Sequence, residues 1–148
     1  MAEVIALCVS RRKGTAKKPI PEAVFRTNYG LEGDAHAGDG HRQVSLLALE
    51  SIARMRERIP HLAYGAFGEN VVTRGIHLSR LRVGDRLRIG EEVELEVTQI
   101  GKECHAPCAI AALTGDCIMP REGVFARVLR GGKVKPGDPI ALLPRDRS

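Results

Sequence analysis

Between Gly101 and Pro120 the chain reads GKECHAPCAIAALTGDCIMP, and three of its four cysteines, Cys104, Cys108 and Cys117, fall in this stretch beside His105. Thiolate is the form of cysteine that attacks electrophiles and binds soft metals. Neighbouring cations favour it, so Lys102 and His105 bias Cys104 and Cys108 towards chemistry. Pro107 fixes the backbone ahead of Cys108 and suits a thiol presented from a rigid turn. The residues therefore offer a nucleophile or a soft metal ligand at Cys108 or Cys104. Cys8, inside an apolar run, reads as an ordinary buried thiol, and Cys117 is read the same way. Structural zinc is disfavoured: Cys104 and Cys108 stand as CxxxC, and no second ligand pair follows at finger-like distance.

Two other stretches carry polar chemistry. GLEGDAHAGDGHRQVSL places His36, His41, Arg42 and Gln43 among glycines that let a ligand approach the backbone, and the arginine offers a planar fork for phosphate or carboxylate. Asp34, His36 and His41 are an alternative metal set, and the plainest reading is a turn whose polar groups bond their own backbone. SRRKGTAKKPIP holds Arg11, Arg12, Lys13, Lys17 and Lys18. It reads as a basic loop, either solvated or wrapped around an anion that offsets the repulsion of five cations.

The elements that position these residues are mostly short strands. Val4 to Val9 and Val44 to Leu47 are continuous apolar runs, as in strands buried on both faces. Ala23 to Thr27 and Val71 to Thr73 are further short strands. Leu87 and Ile89, then Val93, Leu95 and Val97, alternate with polar residues about Gly90, which predicts an antiparallel hairpin. Val124, Ala126 and Val128 alternate likewise, and VKPGDPIALL echoes LRVGDRLRI. One amphipathic helix is expected over Ala48 to Ile59, with Leu49, Ile52, Met55 and Ile59 on one face and Pro60 ending it. The fold class expected is mainly β, a single-domain β-barrel with one or two short helices over residues 1–148.

Composition sets limits on function. The 148 residues carry 23 Lys and Arg against 18 Asp and Glu, a net charge of +5, which suits an anionic partner. With no Trp, two Tyr and three Phe, the chain lacks the aromatic platforms of a single-strand nucleic-acid binder. No apolar stretch approaches the roughly 20 residues that cross a bilayer, and MAEVIALCVS lacks the basic start of a secretion signal. A cytoplasmic protein with reduced thiols and no membrane partner is expected.

Taken in order, SRRKGTAKKPIP, GLEGDAHAGDGHRQVSLL, GAFGENVVTRGIHLSRLRVGDRLRIG and VTQIGKECHAPC resemble the MOSC domain, the C-terminal module of eukaryotic molybdenum cofactor sulfurases. The resemblance covers nearly the whole chain and implies a β-barrel core. It implies that Cys108, in HAPC, holds the molybdenum of a molybdopterin-type cofactor or carries a sulfur destined for it, with Cys104 the nearer competitor. Lys17, Lys18 and Arg42 correspond to positions that would meet the cofactor's anionic end, in a binding set completed by His36, His41 and Gln43. The chain departs from complete sulfurases in lacking a pyridoxal phosphate domain, and from amidoxime-reducing relatives in lacking an added N-terminal β domain, so a stand-alone module is expected.

The activity implied is reduction of N-hydroxylated compounds or sulfur transfer to the cofactor. The alternative is a non-catalytic carrier of the cofactor or of persulfide sulfur. Partners would be the pterin cofactor and a molybdoenzyme, a cofactor-biosynthesis protein or a sulfur donor. A zinc-stabilised basic module binding nucleic acid is the third reading, recognisable by strongly salt-dependent affinity.

Overall fold

The computed structural model describes residues 2–13, 15–38, 40, 42–101 and 118–144. Among these residues the chain forms an eight-stranded curled sheet and a three-stranded one. The strands are β1 (Glu3–Val9), β2 (Lys18–Ile20), β3 (Ala23–Arg26), β4 (Gly30–Leu31), β5 (Val44–Ala48), β6 (Val71–Arg74), β7 (Arg86–Ile89), β8 (Val93–Ile100), β9 (Val124–Arg130), β10 (Gly132–Val134) and β11 (Ile140–Leu142). The large sheet runs β11-β7-β8-β9-β5-β6-β1-β2 and the small one β10-β3-β4. Helix α1 (Leu49–Arg56) links the parallel neighbours β5 and β6, and a single turn of helix, α2 (Met119–Glu122), precedes β9.

Hydrophobic pattern explains which strands lie where. In β7 and β8, Leu87, Ile89, Val93 and Leu95 point into the core, while Arg86 and Arg88 face water. On that wet face Arg86 stands opposite Glu96, Arg88 opposite Glu94, and Glu96 pairs in turn with Arg127 of β9 at 2.6 Å. Such exposed cross-strand pairs contribute about 0.2–1 kcal/mol each. The alternating sequence is the signature of one dry and one wet face. By contrast β1, β5 and β6 are dry on both. Val4, Leu46 and Val71 join the inner core, and Ala6, Cys8, Leu47 and Val72 join a second cluster roofed by Ile52 and Met55 of α1. A strand without a wet face has no reason to alternate, so these segments read as unbroken apolar runs.

Helix α1 is shorter than the periodicity suggests, ending at Arg56 rather than Ile59. Ile59 N–H still reaches back to the Met55 carbonyl at 2.9 Å, and Ile59 packs against the second cluster, so the apolar spacing is met by a turn beyond the helix. The hairpin about Gly90 forms as expected, with Leu87 opposite Leu95 and Ile89 opposite Val93. Gly90 supplies the positive φ, +64°, that the tight turn needs.

The expected barrel is approached without closing. Residues 137–140 return beside the start of β1, where Val4 N–H donates to Asp138 O (2.9 Å), Gly137 N–H to Val4 O (2.7 Å) and Ile140 N–H to Ala2 O (3.0 Å). These bonds and a lone bridge between Glu3 and Pro139 draw the edges together with no continuous ladder across the seam.

One buried polar atom stands out in β6. The Thr73 hydroxyl is fully buried and has no hydrogen-bond partner among the described residues. An unmet buried hydroxyl costs about 1–3 kcal/mol. Thr73→Val keeps the shape and the β-branched stem, so chemical denaturation is expected to show a gain of about 1 kcal/mol. A loss of stability would mean that the hydroxyl is satisfied.

Candidate functional site

The β1–β2 loop and the turn after β4 converge on one buried cation. Lys17 Nζ lies 2.7 Å from Asp34 Oδ1, and both side chains are completely buried. The same ammonium reaches Ser10 Oγ and His36 Nδ1, each at 3.2 Å. An ammonium has three donors and no acceptor, so all three protons are engaged and His36 Nδ1 must be the acceptor. Asp34 fills its remaining capacity with backbone amides: Ser10 N–H donates to Oδ1 (3.1 Å) and His36 N–H to Oδ2 (3.2 Å).

Local backbone geometry explains why a lysine can be buried here. Lys17 N–H donates to Gly65 O at 2.7 Å. Gly65 has a φ of +89°, and a Cβ there would run into the Lys17 carbonyl oxygen, so the two backbones can approach only with glycine at this position. The turn is set from beneath by Glu69, which is fully buried and accepts Gly65 N–H (2.8 Å) and Phe67 N–H (3.0 Å). Asn70 then ties two strands together, donating from Nδ2 to Cys8 O (3.0 Å) and accepting Ser45 N–H (2.9 Å).

Burial lifts the Glu69 carboxyl above the usual carboxylate range, although the backbone amides and the Lys17 cation pull the other way. Burial also pushes the Cys8 thiol up to about 12, helped by the negative field of Glu69. A thiol that rarely ionises is a poor nucleophile, so Cys8 is a packing residue, as its place in an apolar strand suggests.

Beside this buried group a cavity of about 430 Å³ opens to the surface, lined among others by Ser10, Arg11, Arg12, Thr15, Lys18 and Gly33. Arg11, Arg12 and Lys18 are exposed. The two hydroxyls shape the loop: Ser10 Oγ and Thr15 Oγ1 both donate to the Arg12 carbonyl at 2.9 Å. The described lining contains three cations and no carboxylate, which is the composition of an anion pocket. The basic loop is thus divided. Lys18 begins strand β2 and faces the cavity, while Lys17, one residue earlier, points into the protein.

The remaining sequence-derived site residues lie apart from this pocket or outside the described residues. Arg42 donates from Nε to Gln99 Oε1 (3.0 Å), and its guanidinium stacks 5.5 Å over the Phe125 ring. Gln99 in turn donates from Nε2 to Gly101 O (2.7 Å), so Arg42 braces the end of β8, from which the cysteine-bearing stretch departs. Gln43 is buried, donating to Asn28 Oδ1 (3.1 Å) and accepting Val128 N–H (3.1 Å). His41, Cys104 and Cys108 lie outside the described residues, as do Lys102, His105 and Cys117. Among the described residues no cluster of three or more His, Cys, Asp or Glu could hold a metal. Of the alternative metal set, Asp34 and His36 both engage Lys17, and His41 lies outside the described residues.

Ser10, Glu69 and Asn70 were not apparent as site residues in the sequence. The signal in GAFGEN is weak: its composition is that of an ordinary turn, and only its place directly before the buried strand Val71–Arg74 sets it apart.

Comparison with known proteins bears on this arrangement. The sequence model of the MOSC domain matches residues 32–141. The chain belongs to the MOSC domain family. Within it, the chain is 31% identical over 155 aligned residues to a protein of Gibberella moniliformis named as a reductase, with 90% of this chain aligned to 28% of that one. It is 28% identical to YflK of Bacillus subtilis, with 89% of this chain aligned to 64% of that protein. The chain thus spans less than two thirds of either relative. The YUAD protein of Bacillus subtilis shares the fold, with a TM-score of 0.74, 20% identity and coverage of 95% of this chain and 94% of that one. Asp34, His36 and Glu69 fall inside the matched MOSC span, whereas Ser10 and Lys17 precede it.

The buried pair makes a sharp energetic prediction. Lys17→Met leaves Asp34 as an uncompensated buried charge and is expected to cost about 3–5 kcal/mol in urea denaturation. Lys17→Met with Asp34→Leu replaces both charges by apolar groups and is expected to recover most of that loss. Additive losses in the double variant would show that the two side chains do not interact.

Proposed function

We propose that this MOSC domain binds a molybdenum pterin cofactor, holding its anionic end in the pocket between the β1–β2 loop and Gly33. Cys108 supplies the thiolate for the metal. The observation that carries the reading is the cavity of about 430 Å³ with Arg11, Arg12 and Lys18 in its lining and the Lys17 ammonium engaged behind it. The described residues fit such a group at its anionic end, since guanidinium and ammonium donors are what a phosphate takes. The volume lies within the range of about 300–1,000 Å³ typical of small-molecule sites.

Each residue has a distinct part. Arg11, Arg12 and Lys18 neutralise and orient the phosphate. Lys17, neutralised by Asp34, fixes Ser10 in the pocket lining, because its three protons are already engaged by Asp34, Ser10 and His36. His36 keeps Nδ1 on that lysine. Arg42 braces the end of β8 through Gln99. A molybdenum pterin, when bound, supplies two-electron redox chemistry at a soft metal that a thiolate suits. The stretch shared with a protein named as a reductase favours reduction over sulfur transfer; an N-hydroxylated compound is the substrate class that the family resemblance implies.

Elemental and pterin analysis tests this reading on protein purified from a host with intact molybdenum cofactor synthesis. Molybdenum and pterin are expected to copurify in near-equal amounts, to persist in Cys104→Ser, and to lose the metal in Cys108→Ser. A paired Arg12→Glu, Lys18→Glu variant is expected to lose pterin and metal together. Zinc in place of molybdenum, or no pterin in the wild-type protein, would overturn the reading.

A further inference from the structure

A second cavity, of about 390 Å³, opens at the end of the curled sheet where β5 and β8 finish and β9 begins. Its floor is apolar, made by Ala48, Leu78, Ile100 and Val124. Ile100 is 44% exposed, although an isoleucine side chain gains from being covered. Mouths of barrel-like sheets are common places for small-molecule sites, and the volume falls in their range of about 300–1,000 Å³. Thr73, with its buried and unpartnered hydroxyl, is the parallel register partner of Ala48 and lies on the same face of the sheet.

The rim is polar, and its hydrogen-bonding capacity is only partly filled. Glu122 of α2 uses one oxygen, Oε1, to accept from the Ser51 hydroxyl at 2.7 Å and from the Arg54 guanidinium. Arg54 also donates to Ser51 Oγ (3.3 Å), so α1 and α2 are clamped together on one side of the cavity. Glu122 Oε2 has no partner among the described residues. Glu50 is similar: its Oε2 accepts Gly75 N–H at 3.1 Å, and its Oε1 is open. A carboxylate has room for about four hydrogen bonds, so both side chains can take further donors. With His77 neutral, the charged lining is Glu50 and Glu122 against Arg54, a net charge of −1. The anion pocket, with three cations and no carboxylate in its lining, has the opposite sign.

We propose that this cavity is a second binding site, for a small amidine-like organic cation. Its flat apolar body lies against Leu78, Ile100 and Val124, and its N–H groups donate to Glu50 and Glu122. Anions are disfavoured by the same two carboxylates. The binding stands on this lining and not on the anion-pocket reading. Gly101 N–H donates to Gly123 O at 2.7 Å, so the described chain on either side of the interval that contains Cys108 closes beside Ile100 and Val124. A role for the occupant as substrate rests on the function proposed above, whereas the binding does not.

Benzamidine, benzamide and benzoate share one shape and differ in charge and donors, so they separate nitrogen recognition from simple filling of an apolar space. Each is titrated into the whole protein at pH 8.5, above the ordinary range of histidine, while NMR follows the methyl groups of Leu78, Ile100 and Val124. Benzamidine is expected to shift these resonances both with and without saturating sulfate. It should bind about tenfold more tightly than benzoate, despite the chain's net charge of +5, with benzamide between them. Glu50→Gln and Glu122→Gln should each weaken benzamidine by about threefold to tenfold and change benzamide by less than about twofold. Where Glu122→Gln does not fold, Glu50→Gln and the probe series decide the matter. Equal affinity for the three probes, or a preference for benzoate, would overturn the proposal. So would unchanged methyl resonances in benzamidine up to about 20 mM. Molybdenum and pterin analysis is independent of these titrations, so failure of this site and failure of the proposed function are read separately.

Discussion

A fully buried ammonium cannot be left without partners, and much of this site follows from supplying them. Lys17 requires a carboxylate, so the turn after β4 brings Asp34 to 2.7 Å. It requires two further acceptors, and Ser10 at the end of β1 and His36 provide them. Its backbone must approach the turn before β6 closely, and only glycine at position 65 permits that. The desolvation cost of such a charge runs to several kcal/mol, so the pair is costly as a way of gaining stability. What it achieves is position. The end of β1 and the turn after β4 are fixed against the Lys17 Nζ, the turn before β6 is fixed against its backbone N–H, and the basic loop between them lies beside a cavity.

The division of labour between neighbouring residues follows from strand geometry. Successive side chains of an extended chain point to opposite sides. Lys17 and Lys18, adjacent at the start of β2, therefore serve opposite purposes: one completes a buried polar group and the other faces the anion pocket. Arg42 and Gln43 divide similarly at the start of β5. Arg42 reaches Gln99 at the end of β8, and Gln43 links Asn28 to Val128 within the fold. The site is thus supported by polar residues that do not themselves face the cavity.

Much of this fold was legible in the sequence because periodicity reports exposure directly. The Leu87–Ile89 and Val93–Val97 alternation gave the hairpin and its register, and the unbroken run Val4–Val9 gave a strand dry on both faces. Less legible was the closure of the sheet, since the seam between residues 137–140 and β1 is made by a few backbone bonds that leave no side-chain pattern. At the site, residue type marked out the basic loop and the His36 turn but not their pairing. Composition presents Lys17 as one of five loop cations, and nothing local in SRRKGTAKKPIP says that it alone turns inward. Glu69 was hidden for the reverse reason. GAFGEN has the composition of a solvated turn, and its glutamate is drawn inside by backbone amides that only the folded chain brings together.

The central physical claim is that Lys17 is a buried ammonium with all three protons engaged. Lysine ammonium groups at a protein surface exchange their protons with water too rapidly to be seen in a nitrogen–proton correlation spectrum at neutral pH, whereas one held by three acceptors away from solvent exchanges slowly. Such a spectrum of the ¹⁵N-labelled protein should show a protected ammonium resonance that disappears in the Lys17→Met, Asp34→Leu variant and moves in His36→Gln. A spectrum with no protected ammonium, or with one that is unchanged in both variants, would contradict the buried arrangement on which the pocket depends.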